Sequence, residues 1–148
     1  MNAKDNYINI DNARYDDQRQ VMKKIAKNKE CPFCPENLDK YHKQEIIRKG
    51  EHWILTRNQW PYKNTDVHLL AISKYHTEKL SDLKSGSFDE LQGHIVWVES
   101  EFNVVSGGIA MRFGNITNNG ATINHLHVHF IVPSPNNTSD EKVRFKIG

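Results

Sequence analysis

The sequence predicts an α+β domain, an antiparallel sheet of about five strands with one long helix packed across it and a short N-terminal helix. Three observations carry this expectation. His125-Leu126-His127-Val128-His129-Phe130-Ile131-Val132 alternates polar and apolar residues with a period of two, the period of a strand. Ser87 to Val105 has strong helical spacing, with Phe88, Leu91, Ile95, Val98, Phe102 and Val105 falling three or four residues apart. Strand-like segments lie on both sides of that stretch, an order that suits an α+β layout.

In chain order, the first dozen residues carry no clear period. Asp16 to Lys27 reads as a helix with Val21, Met22 and Ile25 as its apolar stripe, and Cys31-Pro32-Phe33-Cys34-Pro35 breaks it. Gln44 to Arg48 and His52 to Arg57, β-branched and aromatic, flank Lys49-Gly50-Glu51 in the pattern of a hairpin. Asn58 to Asp66, holding Pro61 and two asparagines, is a loop into a third strand, Val67 to Ile72. Ser87 and Glu90 make a capping box for the long helix, which Gly107-Gly108 ends. Ile109 to Phe113 is a fourth strand, Gly114 to Asn124 a loop dense in Asn and Gly, and the histidine strand closes the sheet. Helices are expected on one face and the functional site on the other. The resulting division is an N-terminal helical extension over 1–30, a domain over 31–135 and a C-terminal tail over 136–148.

At 148 residues, 37% hydrophobic and 26% charged, the composition is that of one soluble domain. The polar first thirty residues lack the apolar core of a signal peptide and no membrane span is present, so the expected setting is cytoplasmic. A formal net charge of +2, with Lys23, Lys24, Lys27 and Lys29 scattered along a helix, argues against a nucleic-acid partner. Two cysteines in such a setting are not a disulfide scaffold.

On one strand face the three imidazoles stand about 6 to 7 Å apart. That cluster suits three chemistries: the polar side of a half-buried strand, the ligands of a catalytic zinc, or a nucleophile on phosphorus whose neighbours donate hydrogen bonds. The C-x-x-C pair reads as a redox couple, half of a metal site or free structural thiols. It follows a helix and precedes a hairpin, which is not the βαβ context of a thioredoxin. Taken alone, His68 reads as a packed, hydrogen-bonded histidine and Thr122 as a turn residue.

These motifs resemble the histidine triad superfamily of nucleotide hydrolases and transferases. His125 to Ile131 is similar to its alternating signature, and Asn58-Gln59-Trp60-Pro61 resembles its Asn/Asp-x-x-Pro segment. Val67 to His76 resembles the family strand that ends in a Pro-Lys-x-His-like turn, and Gly120-Ala121-Thr122 resembles its Gly-x-Ser/Thr loop. The likeness runs from Cys31 to Pro133. His129 in the third triad position is that of the hydrolase branch. Cys31 to Pro35, and Ser73-Lys74-Tyr75-His76 followed by Leu80-Ser81-Asp82-Leu83, are more similar to the galactose-1-phosphate uridylyltransferase branch and to zinc-containing bacterial triad proteins.

The resemblance implies an enzyme that cleaves a nucleoside monophosphate, AMP foremost, from a phosphoanhydride or phosphoramidate through a nucleotidyl-His127 intermediate. It implies His129 on the non-bridging phosphate oxygens, Thr122 by the leaving group or α-phosphate, and His68 beside the triad. Asn58 takes the ribose position, Asn115 or Asn118 stands for a family Asn or Gln, and the backbone at Gly120 is a small anion nest. Cys31, Cys34, His76 and His125 are implied as ligands of a structural zinc, and a homodimer is implied across the long helix and an edge strand. The alternatives are a nucleotidyltransferase or phosphorylase of the same superfamily, a zinc- or nucleotide-binding module without turnover, and a metallohydrolase liganded by His125, His127 and His129.

Overall fold

Apolar side chains of the central strands point both ways, and the architecture follows from covering both sides. The structure, a computed structural model, describes residues 6–148. Five strands, β1 Ile46–Lys49, β2 Trp53–Arg57, β3 Thr65–Ser73, β4 Gly108–Met111 and β5 His127–Pro133, pair antiparallel in the order β1-β2-β3-β5-β4. Beneath one face, Trp53, Leu55, Leu69, Ala71, Val128 and Phe130 pack with Leu91 and Val98 of the long helix α3, Ser87–Glu101. This is the expected α+β sheet with one helix across it. Among the described residues no helix is long and apolar enough to cross a membrane.

The expectation of helices on a single face is corrected. On the second face Ile54, Leu70 and Ile72 pack with Met22 and Ile25 of α1, Asp16–Asn28, with Phe33, and with Leu38 of α2, Pro35–Tyr41. The physical reason lies in β3, whose last six residues, His68 to Ser73, are all buried. A strand buried on both faces needs a cover on each. Helix α1 ends where Lys29 takes a left-handed φ of 56°.

The capping box is also corrected. Gly86, not Ser87, is the N-cap of α3. Ser87 is buried and its Oγ donates to Lys84 O at 2.5 Å. Glu90 instead reaches across to the β1–β2 turn, where its carboxylate accepts the backbone N–H groups of Glu51, His52 (2.8 Å) and Trp53 (2.8 Å). A Cβ on Gly50 would lie 2.5 Å from the Glu90 carboxyl carbon, so the glycine is what admits the carboxylate. The apolar stripe is shorter than its spacing suggested: Phe88 is 56% exposed and Val105 98% exposed. The helix stops before Val105 because Asn103, at φ 50°, turns the chain. The loop before β5 contains a short helix, α4 Ile116–Asn119, for which Asn115 is the cap, its Oδ1 accepting Thr117 N–H at 3.0 Å.

Three amide donors on one carboxylate make Glu90 a strong stabiliser of the hairpin. Burial pushes its pKa up, but the backbone donors outweigh this and hold it below the ordinary value. The stabilisation is therefore present above the unfolded-state pKa of about 4.3 and is lost as pH falls through the lower folded value. Glu90→Ala is expected to cost about 2 kcal/mol in urea unfolding at pH 7. The gap between variant and wild type should close in acid.

Candidate active site

His125 lies just outside the sheet, because β5 begins at His127. Its Nε2–H donates to Ser73 O at 2.7 Å, which turns Nδ1 toward Cys31 Sγ (3.4 Å) and Cys34 Sγ (3.8 Å). His76 Nδ1 lies 3.4 Å from Cys34 Sγ, while its Nε2 is 3.2 Å from Glu78 Oε1. Both imidazoles thus keep their proton on Nε2 and offer Nδ1 to the thiols, an arrangement usual for metal-bound histidine. The four ligand atoms lie within 4.8 Å of one another. Tetrahedral zinc, with Zn–S about 2.3 Å and Zn–N about 2.05 Å, sets sulfur and nitrogen about 3.5 Å apart along an edge. The S···N separations of 3.4 to 3.8 Å fit that edge length. Hydrogen bonding between the thiols lowers Cys31 and pushes Cys34 up to about 11, and a divalent cation bound there would displace the thiol protons. Neither cysteine forms a disulfide.

His127 follows two residues later with a different tautomer. Its Nδ1–H donates to His125 O at 2.6 Å, and because a carbonyl only accepts, the neutral ring keeps its lone pair on Nε2. Burial pushes its pKa down to about 4, so the ring is neutral at pH 7.

A second chain of bonds fixes His129. Tyr62 N–H donates to His68 Nδ1 at 3.0 Å, which leaves the His68 proton on Nε2, 2.9 Å from His129 Nδ1. His129 therefore carries its proton on Nε2, and that atom is buried without a partner among the described residues. Burial pushes His68 to about 3 and His129 well below its ordinary value, so the relay is neutral throughout. A buried donor left unpaired costs about 1–3 kcal/mol. Here it stands next to the lone pair of His127, with ring centroids 5.0 Å apart. His94, the other buried imidazole with unpartnered nitrogens, belongs to α3 on the far face.

The cleft at His127 is lined by Phe33, Asn58, Trp60 and Thr122, and by Met22 and Ile25 of α1. Asn58 Oδ1 accepts Trp60 N–H at 2.9 Å and its Nδ2 is 3.2 Å from His68 Nε2. Gly120, at φ 82°, ends α4 and lines a neighbouring cleft. Asn115 and Asn118 are exposed on the α4 side and do not line the cleft at His127. The structure adds residues that spacing did not reveal. Tyr62 stacks on His129 (5.5 Å, 20°), Phe145 of the tail meets the same ring edge-on at 5.1 Å, and Arg14 and Arg112 line the cleft. Only Tyr62, next to the quoted Asn-x-x-Pro segment, had a neighbouring signal.

The metal-competent group, Cys31, Cys34, His76 and His125, leaves out His127 and His129. Of the triad, only His125 belongs to that group.

Comparison with known proteins bears on this arrangement. The HIT domain matches residues 39–136. An uncharacterized HIT-like protein of Chlamydia muridarum is 31% identical over 87 residues, 57% of this chain and 68% of its own length. Among solved structures, a Zn-bound histidine triad family protein from Mycobacterium smegmatis superposes with a TM-score of 0.56 at 22% identity, over 78% of this chain and 83% of its own. A Plasmodium falciparum diadenosine triphosphate hydrolase does so at 0.52 and 21%, over 62% and 63%. At those identities the structures speak for the fold. The sequence match runs from within α2 to just past β5 and takes in every strand and the alternating histidines, and the chain belongs to the HIT domain family, the histidine triad superfamily.

Proposed function

We propose that the protein is a nucleotide hydrolase that releases a nucleoside monophosphate, AMP foremost, from a phosphoanhydride or phosphoramidate through a covalent nucleotidyl-His127. The observation that carries this reading is the pair of fixed tautomers, a lone pair on His127 Nε2 beside an unpartnered His129 Nε2–H. Neutral imidazole attacks the α-phosphorus, and the bond to the leaving group breaks with its electron pair, which stays on oxygen in a phosphoanhydride and takes a proton from water on the nitrogen of a phosphoramidate. The His129 N–H donates to a non-bridging oxygen as charge gathers there. Water then attacks phosphorus, the P–N bond breaks and neutral His127 returns.

Asn58 takes the ribose, Thr122 and the Gly120 backbone lie toward the phosphates, and His68 positions His129. The cavity at His127 measures about 50 Å³, whereas ligand sites span about 300–1,000 Å³. A nucleoside therefore enters by displacing side chains of α1 and Trp60. Cys31, Cys34, His76 and His125 hold a structural zinc in this reading. With four protein donors it supplies rigidity, not an open position for substrate. It pins His125, whose carbonyl holds the Nδ1–H of His127. The setting is cytoplasmic, and the assembly is a homodimer joined along α3 and edge strand β4, where Val96 and Ile109 stand exposed.

The test is intact-protein mass spectrometry after a neutral quench, across adenylyl and uridylyl compounds. An adduct of one nucleoside monophosphate that maps to the peptide holding His127 is expected. Product release with no adduct at any time, or an adduct on another residue, overturns the reading.

A further inference from the structure

Two guanidinium groups stand beside the triad without a counter-charge. Arg14 lies over the Tyr62 ring, 4.2 Å from its centroid, and donates Nη2 to Trp60 O at 2.7 Å. Arg112 donates Nη1 to Tyr62 Oη at 3.1 Å and Nε to Lys146 O at 2.8 Å, with Phe145 against its face at 3.8 Å. Tyr62 is buried and stacked on His129, so both cations are fixed to the ring that backs the triad. Neither arginine has a carboxylate within 4.0 Å among the described residues. Burial lowers Arg14 below its ordinary value, and the charge of Arg112 adds to that, as two close cations require.

Both arginines line the cleft at His127 and also a second, larger one of about 550 Å³. The second cleft adds Lys63, Lys142, Arg144 and Lys146 against only Asp11 and Asp140. Its lining side chains therefore carry a net of four positive charges in a chain whose side chains sum formally to +2. Like charges brought together oppose folding unless an anion neutralises them. The walls come from both ends of the chain, Asp11 to Tyr15 and Lys142 to Gly148, outside the span that matches the family, and from Lys63 and Arg112 within it.

We propose that these two flanks, together with Lys63 and Arg112, build an anion subsite beside the triad, and that it takes the leaving group of the reaction, a polyphosphate chain. The inference rests on the reading of His127 as nucleophile. As His127 Nε2 bonds to the α-phosphorus, the bond from that phosphorus to the bridging oxygen breaks. Its electron pair stays on the bridging oxygen, and the new charge at the end of the departing polyphosphate falls between Arg14 and Arg112. Water then releases the nucleoside monophosphate and one proton to solvent. An amine leaving group carries no such charge and gains nothing from the cleft.

Calorimetric titration with inorganic tripolyphosphate tests the subsite without turnover. The full chain is compared with a variant carrying Lys142→Ala, Arg144→Ala and Lys146→Ala, exposed positions whose loss leaves both cores intact. Wild type is expected to bind one tripolyphosphate, with affinity falling as salt rises, and the variant to bind at least tenfold more weakly. The variant should also lose at least tenfold in kcat/KM on adenosine compounds with a triphosphate leaving group, and less than twofold on an adenosine phosphoramidate. Equal tripolyphosphate affinity in variant and wild type, or equal losses on the two substrates, overturns the subsite. Tripolyphosphate binding that persists in His127→Ala keeps the subsite standing whatever becomes of the nucleophile, which the nucleotidyl adduct judges separately.

Discussion

Replacing His127 by alanine is expected to lower kcat/KM for release of the nucleoside monophosphate by about four orders of magnitude or more. On the proposed mechanism the variant loses the atom that forms the covalent bond, so the loss should fall on kcat with KM little changed. His129→Ala should be milder, about 10²–10³, because it removes one hydrogen-bond donor to developing charge and leaves the nucleophile. Combining the two should cost little beyond His127→Ala alone, since the donor acts only while the nucleophile attacks. Steady-state kinetics on an adenosine phosphoanhydride reads all three. A His127→Ala enzyme within tenfold of wild type would place the nucleophile elsewhere and leave the relay through His68 as packing.

The second large effect concerns the metal. Stripping zinc with a strong chelator, or replacing Cys31 and Cys34 by serine, is expected to lower the melting temperature by about 10 °C or more. The knuckle before α2, the turn after β3 and the segment before β5 meet at this cluster. Without an ion it leaves two buried thiols and a buried imidazole facing one another. Elemental analysis should find one zinc per chain in wild type and in His127→Ala, and almost none in the double serine variant. If zinc instead leaves with His127 and survives loss of the cysteines, the triad is a catalytic metal site and the split between His125 and His127 is wrong.

Much of this was legible in the chain, for reasons that differ from residue to residue. Alternation over His125 to Val132 exposed β5, because two-residue periodicity is a property of the strand itself. It also misplaced His125, since periodicity does not show where the last ladder bond is made. The spacing of Phe88 and Val105 promised burial that neither finds, for Val105 because Asn103 turns the chain before the stripe is complete. Ser87 and Glu90 carry the letters of a capping box, yet the unpaired amides of the β1–β2 turn took the carboxylate, a competition settled in three dimensions. The covering of the second face by α1 was hidden for a similar reason: a stripe of Val21, Met22 and Ile25 says that something is buried, not against what. In the site, residues in short motifs were visible. Arg14, Arg112 and Phe145 were not, because they converge from distant positions and none has a spacing of its own.

Strand pairing carries one more consequence. Ile72 stands opposite His127 and Leu70 opposite His129, while Val128 faces Ala71. A slip of one residue between β3 and β5 would turn Val128 and Phe130 to the cleft and bury imidazoles beneath α3. Both registers can form main-chain bonds, but only one brings His125 Nδ1 to the two thiols. Assembly of the Cys2His2 cluster thus depends on the pairing: a misregistered sheet leaves the fourth donor out, and the alignment that gathers the four ligand atoms is also the one in which His127 presents its lone pair.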